Sequence, residues 1–177
     1  MEKNSSNSFV LNALATFECR LTRYATRLAA GDLDVARDAV QQTFLKLCQN
    51  DPHSLKDKLA PWLFTVCRNC VIDVQRRSSR QFHMESNHLD QLIGPDIDPA
   101  EISEQSDLML LLQSLIDRLP ASEREVIDLW SQNFSHQEIA EITDRNQGAV
   151  RVQLHRAVKR LKLDSAVAEY LSDSLKC

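Results

Sequence analysis

From residue 146 to residue 163 the chain has no acidic residue. Within that stretch Gln147, Arg151, Gln153, His155, Arg156, Lys159 and Arg160 occupy the arc left over by an apolar stripe of Val150, Leu154, Ala157, Val158 and Leu161. Cationic side chains neutralise phosphates, while amide and imidazole groups hydrogen-bond to base edges, so this arc has the chemistry to hold a duplex. The same pattern also suits a helical hairpin with a solvated charged face. A second group stands at Trp62, Asn69, Asp73, Arg76 and Arg77. An unpaired strand needs cations for its backbone and aromatic or amide groups for its unstacked bases, and Trp62, Asn69, Arg76 and Arg77 supply those types. Trp62, near the start of a helix, equally suits a core aromatic.

Other chemistry finds little support. Cys67-x-x-Cys70 has the spacing of a metal or redox pair, but no second pair or nearby histidine pair completes it. Both cysteines fall on an apolar stripe and read as small buried side chains. His53, His83, His88, His136 and His155 are scattered without ligand spacing. There is no Gly-rich phosphate loop, nucleophile elbow or carboxylate constellation, so the expectation is a non-enzyme with no cofactor and no metal.

These residues must be carried by helices. The 177 residues include only 3 glycines and 5 prolines, which disfavours turn-rich β folds. Phe9, Leu14, Phe17, Leu21, Tyr24 and Leu28 set a helical period over 9–29, ended by Gly31. Asp32 or Asp34 caps a second helix reaching about Gln49, with Val35, Ala39, Val40, Thr43, Phe44, Leu47 and Cys48 on one face. Asp38, Gln41, Gln42 and Lys46 lie on its polar face. A third helix begins near Pro61, with Leu63, Val66, Cys67, Cys70, Val71 and Val74 inward and Asn69, Asp73 and Arg76 opposite. Further helices are expected at 107–118, 121–132, 136–143 and 147–162, with a short one at 165–175. Pro120 separates the first two, Ser135 and Glu138 form a capping box, and 143–146 reads as a tight turn.

The fold class is therefore all-α, as two small helical domains. Charge and composition place the boundary. Residues 1–80 carry +4, residues 81–128 carry −9 and residues 129–177 carry +1. Around Gly94, Pro95 and Pro99 periodicity fades among acidic residues, which marks a linker. The expected division is a domain at 1–80, a linker at 81–106 and a helix-turn-helix domain at 107–177 with a short tail. Five cysteines, an odd number without framework spacing, suit a reducing compartment. No apolar run approaches the ~18 residues of a membrane span, and no signal peptide is visible. A cytoplasmic protein without membrane insertion is expected.

Three stretches resemble a known family. Leu119 to Ile127, Phe134 to Ile142 and Gly148 to Leu161 resemble the −35-reading domain of extracytoplasmic-function sigma factors. Asp38 to Leu47 resembles their polymerase-binding helix, and Trp62 to Arg77 their −10-reading helix. The resemblance implies an alternative sigma factor that gives core RNA polymerase its promoter choice. It assigns Asp38, Gln41, Gln42 and Lys46 to polymerase, and Trp62, Asn69, Asp73, Arg76 and Arg77 to the −10 strand. Asn69 would line a pocket for a flipped base with the preceding loop, 53–60. Gln147, Arg151, Gln153, His155, Arg156 and Lys159 would serve the −35 duplex. Implied partners are the polymerase clamp and flap and promoter DNA. A separate anti-sigma protein and the 164–177 tail are alternative means of holding the factor inactive. Asp144 and Arg145 stand where the family commonly has an apolar residue and glycine, Ala149 where threonine is usual, and Gln153 where arginine is frequent. A plain helix-turn-helix repressor or activator would share the C-terminal pattern, and an interaction protein would touch no DNA. The repressor or activator reading does not explain the N-terminal motif.

Overall fold

A computed structural model of the chain describes residues 2–50, 55, 58–82 and 112–163, which form helices joined by turns and short irregular connections. The expected linker, the expected 165–175 helix and most of the 53–60 loop lie outside the described residues. The chain forms two compact units, one built on the helices up to Phe82 and one on those from Ala121.

In the first unit α1 (Glu2–Leu28), α2 (Leu33–Cys48) and α3 (Leu59–Phe82) each pack against the other two. α1 starts earlier than its apolar period, because the polar residues before Phe9 include no glycine or proline to stop it. Ala30 and Gly31, with φ of 54° and 93°, reverse the chain after α1. The carboxylate of Asp32 then accepts from the backbone N–H of Asp34 at 3.1 Å and of Val35 at 3.0 Å. That cap satisfies two otherwise unpaired donors of α2.

The core forms where the three apolar stripes meet. Leu21, Tyr24, Ala39, Thr43, Phe44, Leu47, Leu63, Cys67 and Val71 are buried as their periods require, Ala36 is buried beside them, and Cys48, at the end of α2, is exposed although its period placed it inward. Phe64, which lies off the expected stripe, is also buried, its ring centroid 5.2 Å from that of Tyr24. The guanidinium of Arg20 covers the edge of this cluster, 5.4 Å from the Phe17 ring and 5.7 Å from the Phe64 ring. Pro61 is the third residue of α3, where its missing N–H costs no helical bond. α3 also continues to Phe82, two residues past the expected boundary.

In the second unit a helical segment at 112–117 precedes α4 (Ala121–Ser131), α5 (His136–Thr143) and α6 (Gln147–Leu163). α4 packs on α6 through Val126, Leu129, Val150, Leu154 and Ala157, all buried. Asn133, at φ 67°, turns the chain from α4 toward α5, in a region that asparagine tolerates better than most residues. The expected capping box is present. Ser135 Oγ accepts from the Glu138 N–H at 3.2 Å, and the Ser135 N–H donates to Glu138 Oε2 at 2.8 Å.

The two cysteines of the Cys-x-x-Cys spacing differ in environment. Cys67 is fully buried and Cys70 only partly, and no cluster of metal-ligating side chains exists among the described residues. Burial pushes the Cys67 thiol up from 9.0 to about 12, against a lowering by its hydrogen bond with Thr43 and with a further rise from Cys70. A thiol ionising later in the folded chain than in the unfolded one makes stability fall as pH rises from about 9 toward 12. The expected slope is at most ~1.4 kcal/mol per pH unit. Urea titrations across that range should show a shallower decline for Cys67→Ala than for the natural chain. At neutral pH the exposed Cys19 and Cys48 should alkylate rapidly, and Cys67 only as the unit unfolds.

Candidate nucleic-acid interface

On α3, burial of Leu63, Phe64, Cys67 and Val71 turns Asn69, Asp73, Arg76 and Arg77 out to solvent. Trp62 is half-buried. The amide of Gln75 donates to the Leu28 carbonyl at 3.0 Å, tying α3 to the end of α1 beside Arg76. Of the preceding loop, Leu55 is buried and Lys58 exposed.

On α2, Asp38, Gln41, Gln42 and Lys46 are exposed, as the polar face requires. Lys46 Nζ lies 3.6 Å from Cys70 Sγ, so this face reaches the edge of α3. Leu45 is 48% exposed among these polar groups. Sequence reasoning passed over it because the stripe accounted only for inward residues. Trp130, half exposed at the end of α4, was missed for the same reason.

On α6, Gln147, Arg151, His155, Arg156 and Lys159 all stand exposed along one side. Among the described residues, no ion pair or hydrogen bond engages the side chains of Arg151, His155, Arg156 or Lys159. Asn146 starts the helix. Its Oδ1 accepts from the Ala149 N–H at 2.7 Å, and the exposed Gly148 lies beside that cap.

Gln153 is placed differently from the other five. It is half-buried, and its Oε1 accepts from Arg145 Nη1 at 3.3 Å. Arg145 also places Nη2 2.7 Å from Glu125 Oε2, with side-chain exposures of 23% and 6%, and Nη1 3.5 Å from the Ser122 carbonyl. The arginine at the turn therefore clamps α4, the turn and α6 together. Asp144 makes the turn possible by taking φ 52°, ψ 47°. The Arg145 N–H closes the end of α5 on the Ala140 carbonyl at 3.0 Å. Arg160 also turns back into the fold. Its Nε lies 2.9 Å from the buried Glu123 Oε2, off the hydrogen-bonding direction, as a Coulombic contact.

The comparisons with known proteins match this geometry. The family model described as Sigma-70 region 2 matches residues 15–81, and Sigma-70, region 4 matches residues 109–161. The ECF RNA polymerase sigma factor SigL of Mycobacterium tuberculosis is 38% identical over 148 residues, 81% of each chain. The chain belongs to the ECF sigma factors. SigM of Bacillus subtilis, another of them, is 28% identical over 134 residues, 74% of this chain and 80% of that one. The fold is that of the sigma factor RpoE from Bartonella quintana, crystallised with the anti-sigma factor NepR. The TM-score is 0.66 and the identity 24%, covering 86% of this chain and 96% of that one. As an ECF sigma factor the chain is non-catalytic, binds core RNA polymerase and promoter DNA, and directs promoter-specific initiation. No described helix is long and apolar enough to cross a membrane.

The Arg145 clamp generates a stability test. Arg145→Ala strands the buried Glu125 carboxylate, which should cost roughly 3 kcal/mol in urea denaturation. Arg145→Lys should recover only part of that, since an ammonium lacks the planar fork that meets three acceptors.

Proposed function

We propose that residues 1–80 dock on the polymerase clamp and capture the −10 strand, and that residues 107–177 bind the flap and read the −35 duplex, joined by a linker at 81–106. Polymerase contact falls to Asp38, Gln41, Gln42 and Lys46, with Leu45 as an apolar contact in their midst. Asn69, Asp73, Arg76 and Arg77, with the exposed part of Trp62, meet the unpaired strand. Gln147, Arg151, His155, Arg156 and Lys159 face the −35 duplex. Gln153 acts there through its contact with Arg145 rather than as a free reader. The observation that carries this reading is the outward side of α6. Within the region 4 match, every exposed ionisable side chain from Arg151 to Arg160 is a base.

Work with polymerase makes the protein cytoplasmic. Regulation by an anti-sigma protein is the companion proposal. It leans on RpoE, which shares the fold and was crystallised with one.

In vitro transcription with core polymerase on genomic fragments, with start sites mapped, tests the whole. Gln41→Ala with Gln42→Ala should reduce co-purification with core polymerase about tenfold, as loss of ~1.4 kcal/mol implies, with helix content unchanged. Normal co-purification would remove that surface from the assignment. Arg76→Ala should impair strand opening while closed complexes persist. Arg156→Ala should weaken closed complexes and flatten their log–log salt dependence by about one unit. The opposite pattern would refute this division of labour between the two units.

A further inference from the structure

Among the described side chains of α6 one large apolar residue is exposed, Val152, at 49% exposure. It does not sit at the margin of the apolar stripe. At ~100° per residue, the buried Val150, Leu154 and Ala157 centre the core side, and Val152 falls within about 20° of the opposite point. It therefore stands at the middle of the outward side, between Arg151 and the His155–Arg156 pair. The residue one turn before it is Gly148, exposed and without a side chain. Gly148, Ala149 and Val152 make a low, smooth patch on the first two turns, rimmed by longer polar side chains.

Folding gains little from this arrangement. A β-branched residue is a mediocre helix former, and half of this one remains in water. A groove gains from it. The N-terminal turns of a recognition helix are the part that meets base edges, and a glycine there lets the backbone approach closely. The one apolar group that a base pair displays in the major groove is the C5-methyl of thymine.

We propose that Val152 reads a thymine methyl in the −35 duplex and is a specificity-determining residue of this chain. The proposal rests on the −35 reading above and adds a base to it. Arg151, Arg156 and Lys159 supply sequence-independent phosphate attraction. Val152 supplies discrimination, because only T·A and A·T pairs carry the methyl and they place it on opposite strands.

The test uses holoenzyme assembled from core polymerase and the full chain, on promoter fragments identified by mapped start sites. Each thymine of the −35 element is replaced in turn by deoxyuridine, which removes the methyl and nothing else. With the natural chain, one such replacement should weaken closed-complex binding about fourfold, the value of one buried methyl-sized group. Val152→Ser should bind the thymine and deoxyuridine duplexes equally, with an unchanged salt slope. Arg156→Ala, by contrast, should weaken both duplexes and keep the fourfold ratio between them. The proposal is overturned if no methyl matters, or if Val152→Ser retains the natural chain's sensitivity at every position. If scrambling the whole −35 segment leaves binding unchanged, the −35 reading itself fails and this proposal falls with it.

Discussion

The rotation of α3 about its own axis decides what the N-terminal unit can offer to a partner. Leu63, Phe64, Cys67 and Val71 are fully buried, and Tyr24 and Leu21 from α1 close over them. Each large apolar side chain taken from water contributes about 1.5–3 kcal/mol, so turning α3 by one residue position would forfeit several such terms. The seam therefore holds Asn69, Asp73, Arg76 and Arg77 outward. Their side chains can be selected for what they bind, because the opposite side of the same helix carries the cost of folding.

A comparable separation governs the C-terminal unit, where some cations serve the fold and others do not. Glu123 and Glu125 are buried in α4, and Arg160 and Arg145 meet them. An isolated buried carboxylate is costly, so those two arginines are engaged by the fold, Arg145 largely buried and Arg160 reaching in from the surface. Arg151, His155, Arg156 and Lys159 remain on the surface. Counting basic residues along α6 overstates the charge available to phosphate, since the acids that neutralise part of it come from a different helix. With so few free cations and a net charge of −4, strong unaided DNA binding is not expected.

The turn before α6 shows how a departure from a common pattern is compensated. An apolar residue and glycine commonly stand where Asp144 and Arg145 are found. Asp144 adopts the left-handed conformation that glycine would take most easily, at a modest cost for a short polar side chain. Arg145 then bonds to Glu125, Ser122 and Gln153. Local strain is offset by cross-linking three parts of the unit, and the backbone path into α6 is retained.

Much of this was legible in the chain itself. Helical period, scarce glycine and the capping signals at Asp32 and Ser135 determined the all-α class and most helix positions, because these depend on neighbours three or four residues away. Two motifs in order determined the family. The tertiary structure decided what depends on distant partners. Phe64 lies off the apparent stripe, yet it is buried because Tyr24 on another helix covers it. Gln153 shares a helix with the exposed Arg151, His155, Arg156 and Lys159, yet it is drawn inward because Arg145 donates to it. Arg160 belongs to the basic arc by count and to Glu123 by contact. Val152 went unremarked because apolar residues were sought only where they would be buried. A helical wheel gives each side chain a direction, but only the packed neighbours decide whether that direction ends in core, in an ion pair or in water.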